Sequence, residues 1–231
     1  MKRIDLEFIR GIHMTIKIED LLNSILESLD RIVYIKSEDI PGIDLYMDQV
    51  TTFMESRLHS TTRHPGEDKI LTKTMINNYA KNDLLPPPVK KKYSRDHVLL
   101  LIFIYYYKGI LSISDIQELL RPITSRFFNN GEEFDLETVY ETVFGLEREQ
   151  AEALKKDIIE KFHISEETFR DAPEDSQEFL RIFSFICMLS FDVYVKKLMI
   201  EKMIDSLHEA KAKEHAAREQ KPRTTRQPDD K

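Results

Sequence analysis

Apolar residues recur three and four positions apart over much of the chain, and that spacing predicts helices. Ile18, Leu21, Leu22, Ile25, Leu26, Leu29, Ile32 and Val33 share one face of a helix over residues 18 to 33. Pro41 and Gly42 interrupt the pattern, and a second helix is expected over Leu45 to Arg57. The stretch "STTRHPGED" at 60 to 68 reads as a loop. Thr72 or Thr74 is placed to cap a short helix running to about Asn82, which Pro86, Pro87 and Pro88 prevent from continuing. An extended connector follows, and Ser94 caps the next helix, "RDHVLLLIFIYYYK". Ser112 with Asp115 three residues on suggests a capping box for a helix ending near Leu120 and Pro122.

Asn129, Asn130 and Gly131 mark a turn, after which Leu136, Val139, Tyr140, Val143 and Phe144 form another helical apolar face. "DAPEDS" at 171 to 176 reads as a loop, and a long helix is expected from about Gln177 toward His208. Beyond Glu209 the composition predicts a disordered tail. The expected fold is all-α, with an N-terminal helical extension at 1–39, a central module at 40–122, a helical region at 130–208 and the tail at 209–231.

Composition agrees with helices. The chain has 231 residues, 41% of them hydrophobic, with six glycines and no tryptophan, so it has ample material for a core and few of the turns that many-stranded sheets need. Cys187, the single cysteine, sits in "FSFICMLSF" and is expected to be a small core residue of a protein kept in a reducing cytosol. Residues Phe179 to Ile200 are apolar enough to suggest a membrane span. Arg181, Asp192, Lys196 and Lys197 interrupt them, leaving at most the ten consecutive residues Ile182 to Phe191 free of charge, too few for a bilayer core of roughly 30 Å. A buried helix is expected there. The N-terminus has no secretory apolar run, so a cytoplasmic location is expected.

Several chemistries find no support. The glycines are too scattered for a phosphate-cradling loop. The seven histidines include no zinc-type pair, and His59 with His64 lies in a loop. Acidic pairs such as Glu132 with Glu133 read as solvated charges near helix starts. No catalytic constellation, metal site or cofactor is expected.

Charge changes the picture. Residues 69 to 97 carry Lys69, Lys73, Lys81, Lys90, Lys91, Lys92 and Arg95 against Asp83 and Asp96. That is a net of +5 within a chain of formal net charge −7. Residues 130 to 178, by contrast, hold 16 carboxylates against five cations. On a helix over 72 to 82, Leu71, Met75, Ile76, Tyr79 and Ala80 face inward. Lys73, Asn77 and Lys81 form an outward stripe beside Thr74 and Asn78. Such a stripe combines phosphate-seeking cations with amides able to read base edges. A plain solvated face is the alternative for the helix alone, but the cations continue onto the exposed connector.

"MINNYAKNDLLPPP", "KKYS" and "LSISDIQELL" resemble the winged helix-turn-helix of the MerR-like (mercury-resistance-regulator) family. Ile76 and Tyr79 match its recognition helix, and Leu84, Leu85, Pro86 and Pro87 match the start of its wing. Lys91 stands where that family has a wing arginine, while Tyr93 and Ser94 match the wing's end. Leu111, Ser112, Ile113, Ile116, Leu119 and Leu120 match the module's last helix. Asn77 and Asn78 stand in place of an arginine and a tyrosine, Ala80 in place of a glutamate and Asp83 in place of a glycine. The stretch from "PGIDLYMDQV" to "SISDIQELL" is more closely similar to a bacterial family labelled as a domain of unknown function and related to those regulators.

The resemblance implies a DNA-binding transcriptional regulator acting on double-stranded DNA. Thr74, Asn77 and Asn78 would approach bases, while Lys73, Lys81, Lys90, Lys91, Lys92 and Arg95 would contact phosphates. Tyr93 would pack the wing against the core. The alternative is a helical interaction module that docks an acidic protein partner. The apolar surface of the last helix points to a possible homodimer, no membrane association is expected, and no effector is legible.

Overall fold

A computed structural model describes residues 18–30, 34–64 and 66–219. Its helices are α1 (Ile18–Asp30), α2 (Met47–Leu58), α3 (Lys73–Lys81), α4 (Arg95–Tyr107), α5 (Ile113–Phe127), α6 (Leu136–Glu166) and α7 (Glu174–Glu219). Two short antiparallel strands, β1 (Leu45–Tyr46) and β2 (Lys92–Tyr93), pair Leu45 with Tyr93 and Tyr46 with Lys92. The fold is thus mostly helical, as the periodicity predicts. The expected segment 31–33 of the first helix, residues 1–17 and residues 220–231 lie outside the described residues.

α4 is the axis of the core. His97 through Ile104 are all buried, and a helix that is apolar on every side must be surrounded. Val50, Met54 and Leu58 of α2, Ile76 and Tyr79 of α3, and Ile116 and Leu120 of α5 complete this cluster. So do Leu136, Tyr140 and Phe144 of α6, and the core therefore crosses the expected boundary between 122 and 130. Tyr140 is fully buried, donates its hydroxyl to the Ile35 carbonyl, and meets Phe144 at 4.4 Å and Phe103 at 5.6 Å between ring centroids.

Four expectations are corrected. The helix beginning at Ser112 does not stop near Pro122 but runs through it to Phe127. Ile123 and Phe127 continue the apolar stripe of Ile116, Leu119 and Leu120 onto the core, which outweighs the one hydrogen bond that proline removes. Leu45 and Tyr46 form a strand instead of a helix start because β2 offers them a partner. Residues 209–219 continue α7, where composition predicts a disordered tail. Finally, Phe179 to Ile200 is not a buried helix. Ile182 and Phe185 are buried, but Phe179, Phe183, Ile186, Phe191, Val193, Tyr194 and Leu198 are half-exposed or more, and Cys187 is exposed too. α7 is covered on one side only, chiefly by α6, and its neighbours there make a small second cluster of Ile158, Phe162 and Phe185. No helix among the described residues is long and apolar enough to cross a membrane.

Candidate nucleic-acid interface

α3 forms as its sequence dictates. Thr72 accepts the Met75 N–H at 3.1 Å and caps the helix start. At its end Asp83 adopts φ 55, a left-handed conformation in which glycine is usual, so the Leu84 N–H bonds the Tyr79 carbonyl at 2.9 Å. Leu84 and Leu85 then plunge into the core. Gln117 of α5 donates to the Asn82 carbonyl at 2.9 Å and ties this helix end to the scaffold.

The helix is two-faced in the expected sense. Ile76 and Tyr79 are buried, and burial raises the Tyr79 hydroxyl pKa. Lys73, Thr74, Asn77, Asn78 and Lys81 are all exposed. The connector after the prolines closes into a tight hairpin. Val89 and Lys92 exchange two backbone hydrogen bonds, Val89 N–H to Lys92 O at 3.1 Å and Lys92 N–H to Val89 O at 2.9 Å. Lys90 and Lys91 occupy the two central positions with φ 51 and 64, the signature of a type I′ turn that normally takes Asn-Gly or Gly-Gly. Two lysines are therefore held in a disfavoured backbone conformation at an exposed tip.

The base of the hairpin is anchored from below. Tyr93 is buried, as expected, and its ring meets His97 edge-on at 5.4 Å. His97 in turn contacts Phe128 at 4.8 Å and accepts the Ser94 N–H on Nδ1 at 2.9 Å. The proton therefore resides on Nε2, which lies by the Pro86 and Pro87 carbonyls without reaching a well-formed hydrogen bond. Burial lowers the His97 pKa and keeps the ring neutral.

The start of α2 brings these pieces together. Lys73, the first residue of α3, pairs with Asp48, while Lys92, the last residue of the turn, lies 5.3 Å over the Tyr46 ring. Tyr46 and Asp48 are two residues apart, so α3's N-terminus and the hairpin share one end of the molecule. Neither residue stands out in the sequence, because their contacts join positions more than 20 residues apart. The Lys73–Asp48 pair is well exposed, and such pairs contribute little to stability.

Arg95 is placed differently. Its Nη2 donates to the Ser37 carbonyl at 2.7 Å and to Glu137 Oε1 at 2.5 Å, clamping α4 to α6. It turns inward, away from the phosphate contact expected of it. Lys90, Lys91 and the α3 stripe are thus the exposed set, Lys92 is half-buried at the hairpin base, and Arg95 is structural. Among the described residues no group of three or more His, Cys, Asp or Glu side chains is placed to hold a metal ion. No curated protein and no solved structure matches the chain. Residues 35–143, which run from Ile35 into the start of α6, match the model of a family described as a domain of unknown function, DUF1836.

Proposed function

We propose that this chain is a DNA-binding transcriptional regulator whose 35–143 module works as a winged helix-turn-helix of the MerR-like kind. α3 enters the major groove and the 89–92 hairpin serves as the wing. The observation that carries this reading is the convergence of an exposed amide and cation stripe with a lysine-tipped hairpin at the start of α2. Thr74, Asn77 and Asn78 face base edges, and Asn77 is suited to two hydrogen bonds with adenine. Lys73, Lys81, Lys90 and Lys91 neutralise phosphates, with Lys92 supporting them from the hairpin base.

Titrating duplex DNA at several ionic strengths tests this directly. Log K should fall by about 0.9 per neutralised phosphate for each decade of salt. Asn77→Ala should cost about 1–3 kcal/mol on a preferred site and little on random DNA. Lys91→Ala should weaken all sequences alike and lower the salt slope by about one. A response indifferent to salt and to both substitutions overturns the reading. The competing reading, docking of an acidic protein partner, draws on Lys73 and Arg95 already engaging carboxylates within the chain. It predicts that duplex DNA fails to compete for the partner.

A further inference from the structure

The outer face of α7 is an apolar surface without a partner among the described residues. Phe179, Phe183, Ile186, Val193 and Tyr194 follow one another at helical spacing, with Phe191 and Leu198 at the edge, and each is between 50% and 65% exposed. Phe179 and Phe183 stack on each other there at 6.2 Å between centroids. Large apolar side chains carry roughly 150–250 Å² each, so seven left about half exposed amount to on the order of 700 Å². A stable interface takes about 800 Å² from each partner. The face is the size of a subunit contact and larger than isolated surface residues account for.

We infer that this face binds the same face of a second copy, with the two α7 helices antiparallel and the two-fold axis between Ile186 and Cys187. The spacing of the stripe is what selects this register. Ser190, smaller than Cys187 and the aromatic residues along the seam, falls opposite Phe183 of the second copy, so a large knob meets a shallow position. Phe179 falls opposite Tyr194, and Ile186 lies opposite Cys187. Charge agrees with the direction: Asp175 at one end of the seam comes beside Lys197 at the other. Parallel pairing would set Lys197 against its own copy. Inward residues of α7 are already engaged, Ile182 and Phe185 in the monomer's cores and Asp192 with Lys161 at 2.9 Å. Met199, Met203 and Leu207 are also exposed, but farther along the helix and off the 179–198 seam. This inference does not depend on DNA binding and is tested without DNA.

Cys187, being exposed and the single cysteine, reports the axis. Packed helices lie about 8–10 Å apart, which brings the two thiols within reach of a short bis-maleimide. Sedimentation of the full chain should show a dimer at micromolar concentration, and the reagent should link it through Cys187. Phe183→Asp, at an exposed position, should leave the helical circular dichroism unchanged and weaken the dimer about thirtyfold or more, the loss expected of a central anchor. Lys197→Asp should weaken it by less, and Asp175→Lys added to that variant should restore it. A dimer that Cys187 cannot link overturns the proposed axis. A monomer whose Cys187 reacts freely with a maleimide overturns self-pairing in favour of another partner. A monomer whose Cys187 is shielded overturns it in favour of cover from within the chain.

Discussion

α4 and the middle of α7 are about equally apolar, yet α4 is enclosed on every side and α7 is open along one whole face. From His97 to Ile104 every residue of α4 is buried, because β2 and α6 pack on it and α2, α3 and α5 complete the same core. From Phe179 to Leu198, α7 has α6 on one side, a three-residue buried cluster beneath it, and solvent on the other. The α4 region is a finished core, and the α7 region is half of one. Apolar content sets how much surface seeks cover, while the number of neighbouring layers sets how much receives it.

The contrast is sharpest in truncations. Tyr140→Ala removes a fully enclosed ring and its hydroxyl contact to Ile35, and should cost about 3–5 kcal/mol in a urea titration. Phe183→Ala, measured on the dissociated chain, should change stability by no more than about 0.5 kcal/mol. Equal losses would dissolve the distinction between the two regions.

Arg95→Ala comes next. It strips the Ser37 carbonyl and Glu137 of a shared charged donor and should lower stability by about 1.5–3 kcal/mol, read from the same denaturant midpoint. Glu137→Gln should cost less, since the amide oxygen still accepts. No loss at Arg95 would make that residue available for phosphate after all.

Lys90→Gly and Lys91→Gly should each raise stability, by about 1 kcal/mol or less, by relieving the positive φ at the hairpin tip. The alanine variants should give no such gain. Under the proposed DNA reading both kinds of substitution should weaken binding to duplex alike, separating the shape of the tip from its charge. Thermal melts beside DNA titrations make the comparison.

The smallest effect vanishes at neutral pH. Burial holds the folded-state pKa of His97 below the ordinary 6.5, so the unfolded chain takes up a proton that the folded chain refuses. Stability should fall as pH drops below about 6.5, until the folded ring also protonates. His97→Gln should flatten that slope relative to the parent when unfolding is followed from pH 7.5 to 5. Asp96 and Asp44, whose charges act the other way on the ring, remain in both proteins.

Short-range features of this protein were legible from its residues. The α3 faces, the Thr72 cap, the Ser112 and Asp115 capping box and the break at the prolines follow from contacts three or four positions apart. Those forces act within one turn of chain, and the sequence states them outright. What only the tertiary structure decided depends on contacts between distant positions. The pairing of Leu45 with Tyr93 turned a helix start into a strand. The core beneath Ile123 and Phe127 carried α5 through Pro122. Glu137 drew Arg95 inward, and Asp48 with Tyr46 gathered Lys73 and Lys92 to one end. The outward fate of Cys187 was likewise hidden, because helical spacing reveals that a face is apolar but not how many layers the rest of the fold will lay against it.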